Sequence, residues 1–528
     1  MQKQPPSIFN DVIGPVMRGP SSSHTAASVR IGRLVRRFFR TPVISFHVDF
    51  DPAGSLATTY SSQGSDIGLV GGLLNMETAN PELGSSLEIA AAGGMETGFH
   101  VVDYQAAHPN TYRIKAKAES GQEHSFIFIS TGGGMFELQE IDGLPVSICG
   151  DFYEVILLVK SADRDLLEKH TAKLKRLIPD LDYCDLSRGD TSALINIKTG
   201  YPLPGFIKDI FSAFDRVEEV VLLEPVLPVP SRKDCSVPYS SGAGILAAAK
   251  EENLSLWELA LRYECARGDI SAERVLEIGR KIVTVIKNSI REGLAGTNYG
   301  DRILGPQAHK MHCYTGPFSG GERDKNIISY ITAIMETKSA MGVIVAAPTA
   351  GSCGGLPGTL VAVAEELQVD DEIVLQGLLA AGLVGVVIAT RSTFAAEECG
   401  CQAECGAGSG MAAAGLVQMM GGTAEQALDA ASMALQSIIG MVCDPVAERV
   451  EVPCLGKNIL AGFNAAAAAN MALAGYDKVI PLDETIDAMH QAGTMIPPEL
   501  RCTGKAGLSV TPTARSIDKT LKNQKEGP

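Results

Sequence analysis

Cys401, Cys443 and Cys454 stand in the segments GCQAEC, MVCDPVA and VEVPCLGKN, each thiol flanked by glycine, proline or a small residue. Such flanks interrupt regular structure and let backbone approach a bulky inorganic group. Three thiolates gathered in space would hold a [4Fe-4S] cluster and leave its fourth iron open, as a Lewis acid rather than an electron carrier. Spacing alone does not separate this from the plainer reading of three buried core thiols.

Two further segments have the residue types to bind an anion. Gly19 to Thr25 reads GPSSSHT, with hydroxyls, exposed amides and an imidazole within about one helical turn. That combination can take a carboxylate and offer a proton acceptor in His24; its plain counterpart is a helix cap with a surface histidine. Residues 348–358, PTAGSCGGLPG, form a glycine-lined loop feeding a helix, a cradle suited to an anion.

The elements that must position these groups fall into blocks. Residues 1–150 read as an α+β domain, with a helix over 24–40 and strands at 43–50, 111–117 and 125–130. Residues 151–228 read β-α-β-β-α-β, a ferredoxin-like order that resembles an ACT domain, a module that commonly binds amino acids. Its first loop, KSADRD, lacks the Asp-x-x-Gly type of sequence expected of a strong effector site, so a structural or dimerising role stands beside ligand binding. Residues 229–240 are a proline-rich linker, 241–515 a mainly α-helical catalytic domain, and 516–528 a polar tail. The most apolar stretch, Ile373 to Thr390, is broken by Gln376 and several glycines and reads as a buried helix rather than a membrane span.

Composition narrows the function. A chain of 528 residues makes two to four domains, and a net charge of −16 would repel a phosphate backbone, so no nucleic-acid role is expected. The N-terminus, MQKQPPSIFNDVIG, has no charged-then-apolar signal pattern. Twelve cysteines without such a signal favour a reducing compartment, and a cytoplasmic location with no membrane partner is expected.

Taken together and in this order, these pieces resemble the iron–sulfur L-serine dehydratases (L-serine ammonia-lyases), over almost the whole chain. GPSSSHT, HPNT at 108–111 and STGGG at 130–134 are similar to the family's β part; VAAPTAGSCG, GCQAE, VCDPVA and VEVPC are similar to its α part. The resemblance implies a fusion of both parts around an ACT-like insert, and a cluster held by Cys401, Cys443 and Cys454, with Cys399 and Cys405 as rivals for the first ligand. It also implies a substrate site drawn from Ser22, Ser23, Thr25, Ser352, Cys353 and Gly354, with His24 as a catalytic group. The implied reaction is β-elimination of water from L-serine to give pyruvate and ammonia, in amino-acid catabolism and gluconeogenesis, by a homodimer acting on a small amino acid. No pyridoxal phosphate is expected, because no Schiff-base lysine motif accompanies the glycines at 132–134.

Three positions depart from the family pattern. Gln63, in YSSQGSD, stands where the family has the histidine of Gly-His-Gly-Thr-Asp, which resembles its proton-abstracting base; an amide cannot act as one. Lys338 replaces a usual asparagine and is a candidate base, and Lys457 replaces a usual arginine and is a candidate carboxylate binder. Two alternatives follow from them: a related cluster-dependent lyase or isomerase on another 3-hydroxy or β-substituted amino acid, and a non-catalytic amino-acid sensor. Some members end in a cysteine that reaches the open iron; this chain ends in Glu-Gly-Pro, with Cys502 as a remote substitute.

Overall fold

A computed structural model describes residues 4–525. The N-terminal part is a six-stranded sheet with helices on one face. Strand Val43–Phe50 pairs parallel with the edge strand Glu96–Val101 and antiparallel with Thr111–Ala118. Glu123–Gly132, Met135–Ile141 and Leu144–Ile148 extend the sheet as antiparallel neighbours. Alternation along Val43–Phe50 sends Phe46, Val48 and Phe50 into the core, where Leu34, Val35 and Phe38 meet them.

Helix Ala27–Arg37 lies almost in backbone contact with helix Ser65–Leu73. A Cβ on Gly32 would fall 2.1 Å from the Leu69 carbonyl oxygen, and one on Gly72 2.2 Å from that of Val29. Only glycine permits this approach. It brings Gln63, just ahead of the second helix, against the segment that precedes the first.

The next part has the expected β-α-β-β-α-β order: strand Tyr153–Val159, helix Arg164–Leu177, strands Tyr183–Arg188 and Ala193–Thr199, helix Ile207–Ser212 and strand Val217–Leu223. All pairings are antiparallel, and the spatial order is Val217–Leu223, Tyr153–Val159, Ala193–Thr199, Tyr183–Arg188. Ala193–Thr199 is buried at every position, as a central strand covered on both faces must be. Leu167, Leu174 and Phe211 cover one face, while Ile156, Leu194 and Val221 join the core of the N-terminal sheet on the other.

The C-terminal part is helical. Its hub is helix Asp371–Arg391, which is long and apolar enough to cross a membrane but lies largely buried inside the protein, as expected for a core helix. It crosses helix Cys405–Met419 at Gly377 and Gly415, where a Cβ on Gly415 would sit 2.7 Å from the Gly377 carbonyl oxygen. The stretch 229–240 is pinned rather than free: Asn10 donates to the Val229 carbonyl at 2.7 Å and accepts from its amide at 3.0 Å. The polar tail expected over 516–528 is helical in its described portion. Helix Pro512–Lys525 buries Ala514 and Leu521 against Val446 and Ala447, an i, i+7 stripe in a largely polar sequence.

One small pairing decides where the N-terminal and helical parts meet. Val16 and Met17 pair antiparallel with Val345 and Ile344. This seats GPSSSHT directly on PTAGSCG.

Candidate active site

Ser21 opens a single π-helical turn, Ser22–Ala26, that continues into helix Ala27–Arg37. Such turns are rare and recur at functional sites. The Ser21 hydroxyl accepts from the His24 amide and caps the turn. The Ser22 hydroxyl accepts from the Ala350 amide at 3.2 Å, which ties the turn to the glycine-lined loop. Between these segments lies a small cavity lined by Ser21, Ser22, Ser23, Gln63, Gly351, Glu397, Glu404, Cys443, Cys454 and Cys502.

Three segments bring thiols to this cavity, at Cys443, Cys454 and Cys502, and a fourth places Cys401 beside it. Gly400 has φ +72°, and a Cβ there would lie 2.8 Å from the Met441 carbonyl oxygen. This left-handed residue turns Cys399 and Cys401 to opposite sides. Cys399 faces His490, with Sγ 3.6 Å from Nδ1. Cys401 faces Cys405, with the sulfurs 3.7 Å apart, and packs with Cys443 and Cys502. Cys454 begins helix Cys454–Leu473 and borders the cavity. Hydrogen bonds from Cys405 and Cys443 hold the Cys401 thiol well below its usual range, whereas burial raises that of Cys454. Among the described residues no three His, Cys, Asp or Glu side chains are arranged to hold a single metal ion.

Two carboxylates share the cavity wall. Burial, followed by the Cys401 thiolate, raises the Glu404 carboxyl to about 8, against the hydrogen bond it accepts from Thr349 at 2.6 Å. Burial also raises Glu397, while hydrogen bonds from Asn110 and Ser23 work the other way.

Comparison with known proteins assigns this arrangement. Residues 251–509 match the family description "Serine dehydratase alpha chain". The chain is 38 % identical over 279 residues to the probable L-serine dehydratase alpha chain of Bacillus subtilis, covering 93 % of that protein and 52 % of this one. It is 34 % identical over 220 residues to the probable beta chain of the same organism, covering 96 % of that chain and 40 % of this one. Against the L-serine dehydratase TdcG of Escherichia coli it is 25 % identical over 520 residues, 96 % of that protein and 93 % of this one. The chain belongs to the serine dehydratase family. It joins in one polypeptide the β and α parts that the Bacillus proteins make separately.

Of the residues the family resemblance singles out, Ser22, Ser23, Gln63, Cys443 and Cys454 line the cavity, and Cys401 packs against Cys443 beside it. The others lie behind the wall. His24 is buried, with Nε2 2.9 Å from the Thr59 hydroxyl and Nδ1 3.1 Å and 3.2 Å from those of Ser21 and Ser23. Burial pulls its pKa down to about 3, so the ring is neutral. Thr25 donates to the Gln63 carbonyl at 2.8 Å. Ser352 bonds within its own loop and Cys353 points at Met335, with the sulfurs 3.8 Å apart. The amides of Gly354 and Gly355 both donate to the Asn458 side chain.

Lys338 is fully buried and donates to the Val450 carbonyl. Lys457 donates to the Val442 carbonyl at 2.6 Å and to Asp444 at 3.1 Å. Burial works against its charge, but the thiolates of Cys401 and Cys443 outweigh it and raise the pKa. Sequence reasoning passed over Gly351, Glu397 and Glu404. The signal for the two acids was present: with Glu398 they stand among the cysteines in AAEECGCQAEC.

Proposed function

We propose that this protein is an iron–sulfur-dependent L-serine ammonia-lyase that converts L-serine to pyruvate and ammonia. The observation that carries this reading is the convergence of thiols from separate segments on one cavity with the hydroxyls of Ser22 and Ser23. The relatives named above are L-serine dehydratases, which supports serine as the substrate.

The donor set fits an iron–sulfur cluster. Cys401, Cys443 and Cys454 are buried, the last two on the cavity wall and Cys401 packed against Cys443, and the Lys457 ammonium beside them offsets the charge of an anionic group. When bound, such a cluster supplies a Lewis acid that makes a β-hydroxyl a tolerable leaving group. The chain's own residues do the remainder. The Ser22 and Ser23 hydroxyls and the loop at Gly351 receive the substrate carboxylate, and burial keeps bulk water from the reacting carbons. Loss of the α-proton and the β-oxygen leaves an enamine, which tautomerises and hydrolyses to the 2-oxo acid and ammonia. Gln63 on the cavity wall serves as a hydrogen-bonding group, not as a base.

We read the four-stranded part as a ferredoxin-like domain of the ACT type, supported by its strand order and by two helices on one face. A cytoplasmic location is supported by twelve unpaired cysteines, and a homodimer remains part of this proposal.

Anaerobic purification followed by iron and sulfide analysis tests the reading. About four of each per chain are expected for a [4Fe-4S] cluster. Cys401→Ser, Cys443→Ser or Cys454→Ser should abolish them and the activity, whereas Cys399→Ser, turned toward His490, should retain both. A metal-free wild type prepared without oxygen overturns the reading.

A further inference from the structure

The cavity needs a group that can accept the substrate's α-proton, and few of its surroundings can do so. Gln63 is an amide. The His24 ring lies behind the serines with both nitrogens engaged by hydroxyls. Lys338 and Lys457 donate to backbone carbonyls and Asp444, and neither side chain lines the cavity, although Val450, the partner of Lys338, does. Apart from the thiols, the titratable groups on the cavity wall are Glu397 and Glu404. Glu404 is bonded to the Thr349 hydroxyl at 2.6 Å and lies beneath Gly351, where a Cβ would come within 3.0 Å of its carboxylate.

We propose that Glu397 is the catalytic carboxylate of this site, the group that accepts the α-proton and returns it to the departing β-oxygen. The assignment rests on the lyase reading above and deepens it. Glu397 sits on the short helix Ala396–Cys399, immediately before the turn that carries Cys401. Its side chain lines the cavity together with Ser21, Ser22 and Ser23 of the N-terminal domain. Ser23 and Asn110, the latter fixed by the Ser55 hydroxyl, favour its charged form.

The proton count closes. The Cα–H bond breaks and its electrons form the Cα=Cβ bond. The Cβ–O bond breaks with its pair on oxygen, and the proton held by Glu397 joins that oxygen to release water, regenerating the carboxylate. Burial favours the protonated form of Glu397, which makes the carboxylate a stronger base than an exposed one. The titratable groups around it are Glu398 on its own helix, Glu404 and Cys502 across the cavity, and His24 and Tyr112 from the N-terminal domain.

The test uses the full-length, cluster-loaded protein. Glu397→Gln should keep the iron and sulfide content and the visible spectrum of wild type, lose about 10²-fold or more in kcat on L-serine, and lose the acid limb of the kcat/KM profile. Ser23→Ala is a second probe that does not remove the carboxyl. It removes a hydroxyl that favours the charged form, so the acid limb should move to higher pH. An active wild type with an equally active Glu397→Gln, or with an acid limb unmoved by both substitutions, overturns the assignment alone. A wild type with a full cluster and no turnover of L-serine overturns the lyase reading and the assignment with it.

Discussion

Two histidines buried in the N-terminal domain differ in everything but burial. His24, at the cavity, meets only the hydroxyls of Ser21, Ser23 and Thr59. His124, at the junction with the four-stranded domain, lies among Phe38, Phe39 and Phe126 and between two carboxylates. Its Nδ1 is 2.7 Å from Asp142 and its Nε2 is 3.0 Å from Glu219, the latter on the neighbouring domain. Burial alone leaves His24 neutral, with a pKa lowered to about 3. At His124 burial also works against the charge, but the bonds to Asp142 and Glu219 overcome it and raise the pKa to about 9. The partners, not the burial, decide the charge. At the cavity the absence of a carboxylate beside the ring makes His24 a fixed hydrogen-bonding brace. At the domain junction a charged ring ties two sheets together.

Breaking the junction should have the largest effect. Glu219→Gln removes one carboxylate from a charged ring that is 7 % exposed, and should cost about 2–3 kcal/mol in denaturant unfolding, near the lower range for a broken buried pair. An unchanged unfolding midpoint would show that the ring carries no charge.

The pH dependence separates the two sites next. His124 has a folded pKa above the unfolded value of about 6.5, so its contribution is complete below that pH and is lost as pH rises through about 9. His24 has a folded pKa below the unfolded value, so the unfolded chain binds the extra proton and stability falls as pH drops from about 6.5 toward 3. Thermal midpoints measured from pH 5 to pH 10 should therefore be highest near pH 6.5. Glu219→Gln should flatten only the alkaline side, at a cost of about 1–2 kcal/mol less pH-dependent stability between pH 7 and 9.

The smallest effect belongs to the brace. Ser21→Ala deletes the cap of the π-turn and one partner of the His24 ring, and should cost about 1 kcal/mol. A loss several times larger would mean that the turn, and the seating of Ser22 on Ala350, depend on that one hydroxyl.

Much of the fold was legible because its signals are local. The strands of the four-stranded domain alternate or run apolar at strand length, and its helices carry the 3.6 period, so their order along the chain was readable from pattern. The hub helix Asp371–Arg391 was readable as a core helix from its glycines, which matched close crossings and not a lipid surface. The tail was not legible, because helix Pro512–Lys525 buries only a narrow stripe and its remaining residues are polar. Within the site, the cysteine-bearing segments were visible, but the direction of each thiol was not. Cys399 and Cys401 are two residues apart, and the backbone turn at Gly400 sends them to different neighbours.

The sequence by itself determined which chemistry the chain can host: thiols beside chain breakers, hydroxyls at a helix start, a glycine-lined loop, and no imidazole at position 63. Those are properties of residue type and local spacing. Tertiary structure decided which of these groups face one another. A two-residue pairing, Val16–Met17 with Ile344–Val345, joins segments more than three hundred residues apart and turns Ser22, Ser23 and Glu397 onto one cavity. It also leaves His24, Lys338 and Cys353 in the wall behind. No local signal carries that outcome, because the direction of a side chain in a packed interior is set by what its neighbours exclude.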